Sequence, residues 1–169
     1  MSQPSSSERA GGMTAPGGVT MPPPLPGPRI ELNDVRAGRL AFYGEGATAA
    51  GGGPPLLLVH SINAAGSAYE MKPLFDHYRG KRAVYALDLP GFGLSDRSER
   101  IYTPRMMTDA IHAAVREIQS RAGEGAIDIM ALSLGCEFAA RAATETPNAF
   151  RSVALVSPTG FDRRAARAA

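Results

Sequence analysis

The chain has 169 residues, 44% of them hydrophobic and 20% charged, with a formal net charge of +2. That length and apolar share suit one domain with one core and exclude wholesale disorder, and so small a net charge gives no reason to expect a nucleic-acid partner or an anionic membrane surface. A single cysteine, Cys136, excludes an internal disulfide and a cysteine-based metal site, no apolar run reaches the ~18 residues of a membrane helix, and no secretory pattern opens the sequence; together these predict a cytoplasmic protein.

Residues 1–29 are rich in Ser, Gly and Pro and include Pro22-Pro23-Pro24-Leu25-Pro26-Gly27-Pro28. Such a segment buries too little to offset its ordering entropy, so it is expected to be a disordered tail ahead of a domain over 30–169. Ile30–Phe42 alternates weakly, as an early strand or hairpin would, and a Gly/Ala turn at 44–53 follows. Pro55–His60 is a short continuous apolar run, the pattern of a strand buried on both faces. Ser67-Ala68-Tyr69-Glu70 has the form of a capping box and opens a helix whose apolar face is Met71, Leu74, Phe75 and Tyr78, stopped by Gly80.

Ala83–Leu87 reads as a second buried strand, ended by Asp88-Leu89-Pro90-Gly91-Phe92-Gly93. Thr103-Pro104 places an N-cap before a proline at the first helical position, and Met107, Ile111, Ala114, Val115 and Ile118 form that helix's apolar face up to Gly123. Ile127–Leu132 is the third buried strand, Gly135–Thr144 a helix stopped by Pro147, and Ser152–Val156 a fourth strand. Arg163, Arg164 and Arg167 suit a solvated tail better than a phosphate site. Strands alternating with helices predict an α/β fold: a predominantly parallel sheet with flanking helices.

In open α/β sheets, ligands bind beyond the C-terminal ends of the strands. After the third strand stands Ala131-Leu132-Ser133-Leu134-Gly135, and Ser133 is the one serine with Gly or Ala two residues away on both sides. A nucleophile on a sharp strand-to-helix turn needs that smallness. The turn pushes the Ser133 oxygen out of the sheet, and the free N–H groups of the helix start lie beside it. The Leu134 N–H is then a candidate oxyanion donor. A second is expected from the loop after His60, with Ile62 N–H the candidate.

Three features now combine: Leu57-Leu58-Val59-His60 with its following loop, Asp88-Leu89-Pro90-Gly91-Phe92-Gly93-Leu94-Ser95, and Ala131-Leu132-Ser133-Leu134-Gly135. In order and spacing, residues 35–162 resemble the N-terminal half of the α/β-hydrolase fold, in its serine-nucleophile branch. The resemblance implies a serine hydrolase acting on an ester, thioester or amide, with a small-molecule acyl substrate and no cofactor or metal. It also implies that His60 and Ser61 support the oxyanion loop and that Asp88 shapes its own loop. The family usually has Gly where this chain has Ser61, and Gly where it has Ala131. Chemistry such as C–C cleavage or cofactor-free peroxidation also occurs in the family.

The family's triad runs Ser, acid, His along the chain, whereas His60, His77 and His112 all precede Ser133. The later strands, the cap and the histidine loop have no counterpart, and Asp162 is a weak candidate acid. The chain is therefore expected to be an incomplete hydrolase core, inactive or weakly active, or else a non-catalytic fragment or pseudoenzyme that binds. The strand at 152–156 would be left as a bare apolar edge open to self-association. Gly91 and Gly93 do not open a helix, so dinucleotide binding is not indicated, and Cys136 reads as a small buried helix residue.

Overall fold

The computed structural model describes residues 24–46 and 52–159. Among these, the strands are β1 (Arg29–Asp34), β2 (Gly38–Glu45), β3 (Leu56–Val59), β4 (Val84–Leu87), β5 (Ile127–Leu132) and β6 (Phe150–Val156), and the α-helices are α1 (Lys72–Tyr78), α2 (Pro104–Ala122) and α3 (Gly135–Glu145). All six strands join one sheet in the order β1-β2-β4-β3-β5-β6. The hairpin of β1 and β2 is antiparallel, as is the β2–β4 pair, while β3–β4, β3–β5 and β5–β6 are parallel. The expected α/β architecture is the one observed.

The apolar runs at 56–59 and 84–87 are buried along their whole length because both faces of the sheet are covered. Leu57, Val59, Tyr85 and Leu87 pack toward α2 and α3, with Ile111, Ile118 and Phe138. Leu56, Leu58, Val84 and Ala86 face the opposite layer, with Met71 and Phe75. The period of two along each strand thus feeds two cores.

Three details differ from expectation. The tail assigned to 1–29 falls mostly outside the described residues, yet Leu25 is buried in the cluster that holds Tyr43 and Phe75, and β1 begins at Arg29. One leucine seated in an apolar slot and the Gly44 N–H bonded to the Pro28 carbonyl at 3.3 Å offset part of the ordering of their neighbours, and the surrounding prolines mask that signal in the composition. The capping box does not form: the Ser67 side chain makes no cap bond, the Glu70 N–H goes to the Ser67 carbonyl, and a 3₁₀ turn at Ala68–Met71 precedes α1. The last strand starts at Phe150, two residues early, after a short 3₁₀ turn at Pro147–Ala149. The Thr103 cap forms as read, its hydroxyl accepting the Met106 N–H at 3.2 Å. Asp162 and the arginines at 163, 164 and 167 lie outside the described residues.

From β3 the chain moves to β4 on one side and then returns to β5 on the other. The C-terminal ends of β3 and β5 therefore flank a topological switch point, where such sheets form their binding crevice.

Candidate active site

Ser133 sits at that switch point with φ 54°, in the left-handed region that a residue with a side chain seldom adopts. The strain is held by its surroundings. Its N–H donates to the Val156 carbonyl at 2.9 Å, and its own carbonyl accepts the Cys136 N–H at 3.0 Å, starting α3. Two residues on, a Cβ at Gly135 would meet the His60 carbonyl oxygen at 2.4 Å, so only glycine allows α3 to start this close to the end of β3. Ala131 is fully buried and level with Val59 across the β3–β5 pair, so the extra methyl relative to glycine is accommodated. Cys136 is buried with its thiol directed to the Ala131 carbonyl at 3.1 Å, and burial pushes that thiol up, which makes it a packing residue.

Across the crevice, His60 is fully buried and both of its ring nitrogens meet backbone. The Leu89 N–H donates to Nε2 at 3.0 Å, so the ring proton resides on Nδ1 and goes to the Ser61 carbonyl at 2.6 Å. Burial holds this imidazole below its ordinary value, and the hydrogen bond to the Ser61 carbonyl and the nearby Asp88 and Glu70 charges only partly oppose that. The Ser61 N–H and hydroxyl both donate to Glu70, at 2.9 Å each, and the Asn63 side-chain amide also donates to that carboxylate. Asp88 is equally occupied: it accepts the Ala68 N–H at 2.7 Å and the Tyr43 hydroxyl and Leu94 N–H at 2.9 Å each. A Cβ at Gly93 would overlap this carboxylate, which explains that glycine.

A cleft of about 500 Å³ opens above these elements, lined among others by Ile62, Phe92, Arg97, Met107, Leu134 and Phe138. Ile62 and Leu134, the two candidate donor residues, share it. Among the described residues, neither the Ile62 N–H nor the Leu134 N–H is given to a protein acceptor, and the Ser133 hydroxyl has no hydrogen-bond partner. The other two histidines are elsewhere: His77 meets Lys81 and Tyr78, and His112 of α2 meets Glu145 at the end of α3 at 2.9 Å. No cluster of three or more His, Cys, Asp or Glu able to hold a metal ion occurs among the described residues. No helix among them is long and apolar enough to cross a membrane.

The sequence itself matches a family model, that of the α/β hydrolase fold, over residues 54–168. The chain belongs to this family. Among solved structures, this α/β hydrolase chain is similar to a probable hydrolytic enzyme of Pseudomonas aeruginosa, with a TM-score of 0.69 at 22% identity, over 84% of this chain and 45% of that one. Among curated proteins, it is 32% identical to the dihydrolipoyllysine-residue acetyltransferase component of the acetoin cleaving system of Cupriavidus necator, over 78% of this chain and 32% of that protein. It is 29% identical to a 2-(acetamidomethylene)succinate hydrolase of Mesorhizobium japonicum, over 66% of this chain and 38% of the relative. The chain thus spans less than half the length of each.

The residues singled out from sequence, His60, Ser61, Ile62, Ser133 and Leu134, come together at the ends of β3 and β5. Glu70 was missed. Its sequence signal was spent on a helix cap, while its carboxylate reaches back nine residues to a loop that sequence spacing does not connect to it.

Proposed function

We propose that this α/β hydrolase chain carries the nucleophile and oxyanion elements of a serine hydrolase that acts on an ester, thioester or amide through an acyl-enzyme. Ser133 Oγ attacks the substrate carbonyl carbon, and the displaced electron pair passes to the carbonyl oxygen. The Leu134 and Ile62 N–H groups take up that negative charge; collapse expels the leaving group and leaves the acyl group on Ser133 for water to remove. The single observation that carries this reading is the strained turn at Ser133 (φ 54°) together with Ile62 and Leu134, whose backbone N–H groups are uncommitted, lining one cleft. The related proteins named above are called an acetyltransferase component and a hydrolase of an acetamide-bearing compound, which is consistent with acyl chemistry.

Attack requires removal of the Ser133 proton. His60 holds its Nδ1 proton on the Ser61 carbonyl and its Nε2 lone pair on Leu89, and His77 and His112 are committed elsewhere. We therefore assign the base to none of these three, and expect this chain on its own to turn over weakly, from oxyanion stabilisation and binding alone. A cytoplasmic setting suits its one free, buried thiol. The partnerless Ser133 hydroxyl also favours a second reading, a non-catalytic chain that binds small acyl compounds.

A fluorophosphonate probe separates the two. Slow labelling mapped to Ser133 and lost in Ser133→Ala is the expected result. Labelling that persists in the variant removes Ser133 from the chemistry, and absence of labelling together with ester binding supports the non-catalytic chain.

A further inference from the structure

The segment from His60 to Gly66 has no strand partner; a backbone bond from the Gly66 N–H to the Asn63 carbonyl at 3.0 Å closes its far end, and side chains hold the part around Ser61 and Ile62. Its tightness is visible at Gly66, where a Cβ would meet the Ser61 carbonyl oxygen at 2.8 Å. Glu70 grips this segment on both sides of Ile62. Its Oε2 accepts the Ser61 N–H and its Oε1 the Ser61 hydroxyl, at 2.9 Å each, and Oε1 also accepts the Asn63 amide. Asn63 in turn donates to the Ser61 oxygen at 2.6 Å and accepts the Ala65 N–H at 2.8 Å. The Ser61 carbonyl is taken separately by His60 Nδ1–H. No cis peptide occurs among the described residues, and a trans peptide points its C=O and N–H in opposite directions, so the Ile62 N–H is turned away from His60.

We propose that Glu70 is the positioning residue of this loop: its carboxylate fixes Ser61 and Asn63 so that the Ile62 N–H stays directed at the cleft. The assignment rests on reading Ile62 as an oxyanion donor. A glycine at 61 would offer Glu70 only an N–H; the serine found there adds the hydroxyl that completes a two-oxygen clamp. The other charged groups around Glu70 are engaged. Lys72 pairs with Asp76, Asp88 is saturated by Ala68, Tyr43 and Leu94, and His60 is buried and neutral. Burial pushes the Glu70 carboxyl up, but the Ser61 and Asn63 hydrogen bonds outweigh it and hold it below its ordinary value. The clamp is therefore closed at neutral pH and opens as pH falls through that lowered value.

The test compares the unmodified chain with Glu70→Ala and Glu70→Gln by amide hydrogen exchange and by the rate of fluorophosphonate labelling at Ser133. In Glu70→Ala, exchange at the Ser61 amide should quicken at least about tenfold, since bonds to a charged acceptor are lost. Labelling should slow roughly tenfold or more, as a misplaced donor does. Glu70→Gln keeps one acceptor oxygen, so both effects should be partial. The acid-side drop in labelling expected of the unmodified chain should vanish in both variants, a change that simple loosening of the fold would not produce. Glu70→Gln carries the comparison should Glu70→Ala fail to fold. Unchanged exchange at Ser61 overturns the proposal, and so does faster exchange with unchanged labelling. If the unmodified chain takes no label at all, the hydrolase reading fails, and the exchange comparison alone decides whether Glu70 holds the loop.

Discussion

Ser133 is held at φ 54° by bonds at both ends, from its N–H to Val156 and from Cys136 to its carbonyl. A residue with a side chain costs about 1 kcal/mol or more there, and glycine costs far less. Ser133→Gly should therefore raise stability by up to ~1 kcal/mol in denaturant unfolding while abolishing fluorophosphonate labelling, the signature of strain stored at a working position. Gly135→Ala should do the opposite to stability. Its methyl would press on the His60 carbonyl, with a loss of about 1–3 kcal/mol and slower labelling, because the His60 loop must move. Ser133, Leu134 and Gly135 were legible in the sequence because a strand-to-helix turn leaves a local signature of small residues. His60's bond to Leu89 spans 29 positions and Glu70's to Ser61 nine, and no local pattern reports either.

Strands were the most readable elements. A strand covered on both faces is a run of apolar residues, and 56–59, 84–87 and 129–132 each show one. Helix starts were less secure. Thr103 caps its helix, whereas the similar pattern at Ser67 does not, because Glu70 is drawn into a different bond set. What ties the opposite ends of the strands together is charge. Asp128, at the start of β5, bonds Arg82 ahead of β4 at 2.6 Å and Arg151 and Ser152 of β6 at 2.6 Å each. Burial pushes the Asp128 carboxyl up, but the Arg151, Ser152 and Arg82 hydrogen bonds outweigh it and hold it far below its ordinary 3.8. A carboxyl whose folded value is depressed adds stability above its unfolded value and loses it as pH falls through the folded one. Thermal unfolding should accordingly show stability dropping below about pH 4, and Asp128→Ala, which leaves the half-buried Arg82 without its carboxylate partner, should cost about 3 kcal/mol and flatten that drop.

At the scale of the molecule, β6 closes one side of the sheet with β5 as its only strand neighbour among the described residues, and Val153 and Val156 are 39% and 40% exposed. An apolar strand with an open row of backbone groups is a template for pairing. We expect two copies of this chain to associate through it: sedimentation should show a mass that rises with concentration, and Val153→Lys should hold the chain at the monomer mass. The mostly parallel sheet follows from the alternation of strands and helices, and the family from the motifs at 57–60, 88–95 and 131–135; the strand order, which sets the crevice between β3 and β5, is seen only in the structure. The substrate follows from neither, because the cleft walls come from several separate loops. The most direct test of the central claim is a crystal structure of the chain after reaction with a fluorophosphonate. The phosphorus should be bonded to Ser133 Oγ, with one phosphonyl oxygen within roughly 2.7–3.1 Å of both the Leu134 and Ile62 nitrogens. An adduct on any other residue, or a phosphonyl oxygen turned to solvent away from both nitrogens, would contradict it.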